Sequence, residues 1–396
     1  MIIREKYINE IRPFYESDLI KIITGVRRCG KSVILEQVKN EILKKSDNIV
    51  SLDFDDRAVT SFADSWEDIV NYVNEKRKDG LCYVFLDEVQ VIEDWALACK
   101  SLRRENCSVF VTGSNSKLLS SEFTKELSGR YVSFRIRPFV FKEMLEYAEQ
   151  LNKTVSIRDY LVWGGFPKCL EFNDEGSIRR YLNDLDETIV LNDIINRYKI
   201  RKREEFKKFV NYILICNARQ YSANGIAETL GSNGLKCSTN TIQKWISYLE
   251  EAYIVDELSK YSTRAKRELD QSNKLYNCDV SLNSIRQRDN RYDLSHNLEN
   301  IVYNELLYMG YSLNSYDNNG KEIDFLATKD NKKYYVQVAY SVVEDKTYNR
   351  EFNAFNGVSQ LDKKIIITND DIDYSTSNVL HVRLSAFLRL ESLDNL

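Results

Sequence analysis

Apolar runs and amphipathic stretches alternate over roughly the first 135 residues. LIKIITG (19–25) is a mostly apolar run closed by a glycine, the pattern of a buried strand. KSVILEQVKNEILKK (31–45) follows, with apolar residues at 34, 35, 38, 42 and 43, which form a helical stripe. NIVSLDFDD (48–56) predicts a strand and DIVNYVNEKRK (68–78) a helix; YVFLDEV (83–89) and SVFVTGS (108–114) predict two more apolar strands. Strand and helix in alternation, with strands apolar throughout, imply an α/β arrangement with a parallel sheet covered on both faces. Residues 139–196 read as mostly helical, and 206–258 as three helices and a strand. From about 274 the pattern is mixed, ending in KKIIIT (363–368) and a short helix, SAFLRL.

Two later stretches repay closer reading. CSTNTIQKWISYLEEAYIV places Ile242, Trp245, Ile246 and Leu249 at i, i+3, i+4 and i+7, a buried stripe. Ser238 or Thr239 is placed to cap the helix start. Thr241, Gln243 and Lys244 fall off that stripe, in the half where a recognition helix meets base edges. The preceding SANGIAETL fits the first helix of a helix-turn-helix, and VDELSKYSTRAKR fits a basic wing; a protein-docking or lid module is the competing reading. Further on, KEIDFLATKDNKKYYVQVAY (321–340) reads as two strands, with Glu322 and Asp324 on one face and Gln337 and Ala339 on one face.

Composition narrows the class. Hydrophobic content of 43% and charged content of 29% over 396 residues are those of a globular protein of two to four domains, taking roughly 150 residues per domain. No apolar run reaches the roughly 18 residues of a membrane span, and MIIREKYINEI lacks the apolar core of a secretory signal. The eight cysteines are scattered without a CxxC pair, several inside apolar runs, as expected of reduced core thiols in a cytoplasmic protein. Two histidines, His296 and His381, exclude a histidine-rich metal site. The net charge of −4 hides local bias: RYKIRKREEFKKF (197–209) carries seven basic residues against two acidic ones, and KYSTRAKRE (260–268) adds another basic group. Such runs are either solvated faces or surfaces for nucleic acid or an acidic partner.

The chemistry concentrates near the N-terminus. GVRRCGKS (25–32) has the spacing G-x-x-x-x-G-K-S between an apolar strand and a helix, the setting of a phosphate-binding loop. Gly25, Val26, Arg27, Arg28, Cys29, Gly30, Lys31, Ser32 and Val33 are the expected ATP cradle. Lys31 is placed for the β- and γ-phosphates and Ser32 for Mg²⁺. Asp87, at the end of an apolar strand, is the expected second Mg²⁺ ligand, and Glu88 is placed to polarise an attacking water; the competing reading is an acidic pair opening a helix. The strand SVFVTGSN ends in Thr112, Ser114 and Asn115, and Ser114 or Asn115 is the candidate γ-phosphate sensor. Arg130 is the candidate arginine finger, in cis or from a neighbouring subunit of a homo-oligomer.

GVRRCGKS, FLDEVQ with Trp95 shortly after, VTGSNSKLLS, ELSGRYVSFRIRPFVFKEML and YLVWGGFPKCLE together resemble the prokaryotic AAA+-like P-loop ATPases with a C-terminal domain of unknown function. The resemblance implies a P-loop NTPase core (1–137), a helical extension (138–204), a winged-helix-like segment (205–268) and an α/β restriction-endonuclease-like domain (269–396). It also assigns the Mg²⁺ and water-activating roles to Asp87 and Glu88, and places Arg130 in the family's GR pair.

In nucleases of that fold an acid on a helix, an acid on a strand and a Glu-x-Lys on the next strand hold Mg²⁺ and activate water. Here Glu299, Asp324 and Gln337 occupy the matching places, Ala339 stands where the lysine belongs, and Lys332 or Lys333 is the candidate substitute amine. A degenerate, non-cutting site is therefore expected. The leading expectation is a cytoplasmic Mg-ATP-dependent ATPase that repositions C-terminal modules on DNA or on a protein partner, with no membrane association. The alternatives are a nucleotide-gated switch with little turnover and an active Mg-dependent nuclease.

Overall fold

A computed structural model describes residues 2–114, 127, 129–232, 234–235, 237–261, 273–287, 289, 291–318 and 320–396. The chain divides into two compact units, one of residues 1–138 with 251–253, the other of residues 139–250 with 254–396.

The first unit is built on five parallel strands: β1 (Ile20–Thr24), β2 (Ile49–Asp53), β3 (Cys82–Asp87), β4 (Cys107–Gly113) and β5 (Tyr131–Arg135). Their spatial order is β2-β3-β4-β1-β5, with every pair parallel. Helices Lys31–Leu43, Trp66–Lys76 and Trp95–Arg104 join β1 to β2, β2 to β3 and β3 to β4. The strands are apolar because both faces are covered: β1 and β4 are buried along their whole length. Ser65 and Asp68 cap the helix Trp66–Lys76 reciprocally, which starts it where the sequence turns from polar to periodic. In the helix Lys31–Leu43, Ile34, Leu35, Val38 and Ile42 are buried and Leu43 is exposed. Lys21 carries its amine into this core. Lys21 donates to the Ser108 hydroxyl at 2.7 Å and the Ser17 carbonyl at 3.0 Å, and burial draws its ammonium down to about 7.

The second unit begins with helices Phe141–Gln150, Ile157–Trp163 and Glu175–Thr188. Helix Arg203–Ile215, β6 (Gln220–Tyr221), helices Ala223–Ser232 and Thr239–Glu251, β7 (Val255–Leu258) and β8 (Asn273–Asn277) follow. The three strands pair antiparallel in the order β6-β8-β7. Ile242, Trp245, Ile246 and Leu249 are buried, and the Trp245 ring packs against Phe206 and Phe209 at 5.3 and 5.2 Å. Because β7 pairs with β8, the hairpin carries this small sheet past residue 268, to residue 277.

A mixed sheet closes the chain: β9 (Ser312–Asn318), β10 (Lys321–Lys329), β11 (Lys332–Val338), β12 (Lys363–Thr368) and β13 (Leu380–Arg383), in the order β13-β12-β11-β10-β9. β9, β10 and β11 run antiparallel, and β11, β12 and β13 parallel. The whole is α/β, as the sequence pattern implies. No helix among the described residues is long and apolar enough to cross a membrane.

Candidate functional site: a phosphate loop backed by a buried arginine

β1 delivers the chain to Gly25 and the helix Lys31–Leu43 starts at Lys31, so the loop between them spans only a few residues. Gly25 has φ 146°, and a Cβ there would lie 2.2 Å from the Ile136 carbonyl oxygen, so only glycine fits. Gly30, at φ 101°, is the residue before the helix, whose first N–H groups lack intrahelical acceptors. Aligned donors and the helix dipole suit such a loop to an anion. Val26 and Cys29 are buried, Arg28 and Ser32 are exposed, and Arg27 and Val33 are intermediate.

Lys31 folds back over the loop. Its ammonium donates to the Val26 carbonyl at 3.3 Å and lies 3.7 Å from a Glu88 carboxylate oxygen. Asp87 ends β3 next to the end of β4, whose Thr112 hydroxyl donates to Asp87 and accepts the Glu88 N–H at 2.9 Å. Burial pushes the Asp87 carboxyl above its ordinary value, opposed by hydrogen bonds from Thr112 and Ser32. Glu88 turns out of the strand at φ 50° and accepts from the Gln90 amide. Lys31, Ser32, Asp87 and Glu88, distant in sequence, thus share one end of the parallel sheet. Among the described residues no group of three or more His, Cys, Asp or Glu side chains is arranged to hold a metal ion. Ser32 and Asp87, a hydroxyl bonded to a carboxylate, are hard oxygen donors that would suit Mg²⁺.

Two candidate residues fare differently. Asn115 lies outside the described residues. Arg130 sits at the wrong end of the sheet to act as a finger in cis. Its carbonyl accepts the Ile20 N–H, and β5 pairs with β1 from Ile20↔Tyr131 to Thr24↔Arg135. Five residues of parallel strand separate it from the loop's level, about 16 Å at 3.3 Å per residue. The parallel register, invisible in sequence, removes the cis option.

Three residues at this end were missed by sequence reasoning. Thr112 was noted only as a polar strand end. Arg135 stands opposite Thr24, at the loop's level. Arg4 is buried behind the loop, its guanidinium donating to the Cys29 carbonyl at 3.2 Å and to the Arg137 carbonyl at 3.0 Å. A basic residue in the short lead before a helix carries no local signal for this.

In the second unit, Glu299 on helix Leu294–Tyr308, Asp324 on β10 and Gln337 on β11 do come together. The amine beside them is neither Lys332, which pairs with Asp394, nor Lys333, which lies over the Tyr261 ring. It is Lys274, from β8 of the hairpin. Its buried ammonium lies 2.8 Å from Glu299, 3.0 Å from Asp324 and 3.1 Å from Glu322. Gln337 accepts the Asp324 N–H at 3.2 Å and donates to Glu351 at 2.7 Å, where a bulge interrupts the pairing of β10 with β9. Burial, then repulsion from Asp324, raises the Glu299 carboxyl to about 7 against the pull of Lys274. The Tyr276 hydroxyl donates to the same Glu299 oxygen at 2.7 Å.

An AAA domain model matches residues 17–145, and two domains of unknown function match residues 154–291 (DUF8612) and 295–387 (DUF4143). An uncharacterized protein of Haemophilus influenzae is 33% identical over 385 residues, covering 93% of both chains. The chain belongs to the AAA-type P-loop ATPases with C-terminal domains of unknown function. An uncharacterized protein of Methanocaldococcus jannaschii is 29% identical to this AAA-type chain over 379 residues, covering 89% of it and 82% of the relative. In fold, this AAA-type chain is similar to the Walker-type ATPase Paby2304 of Pyrococcus abyssi, with a TM-score of 0.51, 15% identity, and coverage of 72% of this chain and 96% of that one.

Proposed function

We propose that this AAA-type protein binds Mg-ATP at residues 25–33, hydrolyses it, and uses the nucleotide state to reposition its C-terminal modules on DNA. The observation that carries the reading is the convergence of Lys31, Ser32, Asp87 and Glu88 on the phosphate loop. The loop N–H groups and Lys31 would hold the β- and γ-phosphates. Mg²⁺, held by Ser32 and Asp87, would offset charge on the phosphate oxygens. Thr112 fixes Asp87 and the Glu88 backbone relative to each other. Lys31 and Glu88 form an ion pair across 3.7 Å. An entering γ-phosphate competes for Lys31, which leaves Glu88 free to accept a proton from water. Ser114 or Asn115 remains the proposed γ-phosphate sensor, and Arg130 is proposed to act on a neighbouring subunit's nucleotide.

The proposed domains are those expected from sequence, with the winged-helix-like segment extended through β8. Its support is the succession helix, strand, helix, helix, strand, strand, with Asn240, Gln243 and Lys244 exposed on the third helix. Arg201, Lys202, Arg203 and Lys208 are exposed nearby in sequence; most of the basic group at 260–268 lies outside the described residues. The C-terminal site is proposed to be nuclease-like in fold and silent in chemistry, because a buried lysine already occupies the place between its acids.

Steady-state phosphate release, with and without DNA, tests the reading. Lys31→Ala should lose both binding and turnover, and Glu88→Gln should bind ATP without hydrolysing it. Full hydrolysis by either variant overturns the assignment. Tight ATP retention without turnover in the wild type favours the nucleotide-gated switch. DNA affinity that fails to fall steeply with salt argues for a protein partner instead.

A further inference from the structure

Arg4 is only 2% exposed, although it precedes the first helix, Glu5–Ile11, by a single residue. The segment is fastened to the loop's own helix. Gln37 accepts the Arg4 N–H at 3.2 Å and donates to the Ile2 carbonyl at 2.6 Å. Tyr7, Ile8 and Ile11 are buried on the helix that follows. The guanidinium carbon lies 4.5 Å from the centre of the Tyr7 ring. One nitrogen, Nη1, spans two backbone carbonyls: Cys29 within the phosphate loop, and Arg137 just beyond β5. A Cβ added at Gly30 would lie 3.8 Å from that same nitrogen.

The geometry of the peptide unit gives this contact a consequence. In a planar trans peptide the C=O of one residue and the N–H of the next point in opposite directions. Arg4 binds the Cys29 carbonyl from behind the loop, so it turns the Gly30 N–H the other way. A glycine at φ 101° has many orientations of that peptide open to it, and the hydrogen bond selects one.

We propose that Arg4 is a positioning residue for phosphate: it fixes the Cys29–Gly30 peptide so that the Gly30 N–H is aimed at a bound nucleotide's phosphates. The proposal rests on the loop being a nucleotide site, and it assigns Arg4 to the phosphates rather than to the base. Removing the guanidinium should weaken every polyphosphate ligand alike, and should raise KM more than it lowers kcat, since ground state and transition state lose the same contact.

The test uses the full chain with Arg4→Met, Arg4→Lys and, as a control, Lys31→Ala. Dissociation constants are measured for ATP, ADP and inorganic tripolyphosphate, and the Gly30 amide is followed by NMR on ¹⁵N-glycine-labelled protein without nucleotide. Arg4→Met should weaken all three ligands about tenfold, the loss expected for one hydrogen bond, and move the Gly30 amide resonance, with the fold retained by circular dichroism. Arg4→Lys, which keeps the charge and loses the fork, should fall between it and the wild type. Unchanged ligand affinity in both variants overturns the proposal, as does a loss confined to ATP and ADP with tripolyphosphate unaffected. If Arg4→Met does not fold, Arg4→Lys is judged on the same criteria. Should Lys31→Ala bind ATP like the wild type, the nucleotide site itself is wrong, which is a separate failure.

Discussion

Replacing Lys274 by Met would strand a buried group of acids. The ammonium lies within 3.1 Å of Glu299, Asp324 and Glu322, and the side chains of Lys274, Glu299 and Asp324 are 6%, 12% and 9% exposed. Removing one partner of a buried ion pair costs about 3–5 kcal/mol, because the remaining charge loses its compensation. For a unit of this size each kcal/mol lowers the melting temperature by about 2–4 °C, so a drop of roughly 6–20 °C is expected. The deficit must also depend on pH. Glu299 already titrates at about 7 in the folded chain, raised by burial and by Asp324, and loses its opposing cation in the variant. A carboxyl whose folded pKa is raised binds its proton more tightly folded than unfolded. Stability from that difference is present below the unfolded value, near 4.3, and is lost as pH rises through the folded one. The variant's deficit should therefore be smallest near pH 5 and largest at pH 8.5. Thermal unfolding followed by circular dichroism at pH 5, 7 and 8.5 reads both effects. A deficit under about 1 kcal/mol at pH 8.5, or one equal at pH 5 and 8.5, would refute the reasoning. The double variant Lys274→Met/Glu299→Gln should recover part of the loss, since an amide oxygen still accepts from Tyr276.

Thr112→Val removes the hydroxyl that bridges Asp87 and the Glu88 N–H, and ATP turnover should fall by about 10–100-fold in a phosphate-release assay, with folding intact. Gly25→Ala places a methyl group 2.2 Å from the Ile136 carbonyl at a positive φ; nucleotide binding should be lost by calorimetry, and stability should drop by about 1–3 kcal/mol. Burial raises the Glu305 carboxyl to about 7 while one of its oxygens accepts from the Phe141 N–H and the Tyr160 hydroxyl. Wild-type stability from this group is lost as pH rises from about 4.3 through 7. Glu305→Gln, which can keep both acceptor contacts, should therefore gain relative to wild type between pH 5 and 8 in denaturant titrations; a constant difference would contradict it.

The α/β class, the parallel core and the loop at 25–32 were legible because each is written in contiguous residues. A strand, a short glycine loop and a helix follow one another without a break, so a local pattern suffices to predict them. Asp87 and Glu88 needed only the inference that an apolar strand ends beside that loop. The buried stripe Ile242, Trp245, Ile246 and Leu249 was equally local, being set by helical period. The charged residues that matter elsewhere were missed for one reason. In sequence a lysine or arginine announces solvent, yet Arg4, Lys21 and Lys274 are all buried.

Lys332 and Lys333 looked like substitutes for a missing amine because they are near Gln337 in sequence. The amine comes instead from a hairpin strand about fifty residues before Asp324. Arg130 looked able to reach its own phosphate loop until the register of β5 against β1 set it at the other end of the sheet.

By itself, then, the sequence determined the local backbone geometry of the glycine loop and the acids at the end of a later apolar strand, since short-range sterics and burial decide both. Strand order, register and the partners of buried charges were decided only by tertiary structure. These depend on which distant segments share a sheet edge or a core, and no spacing along the chain encodes that.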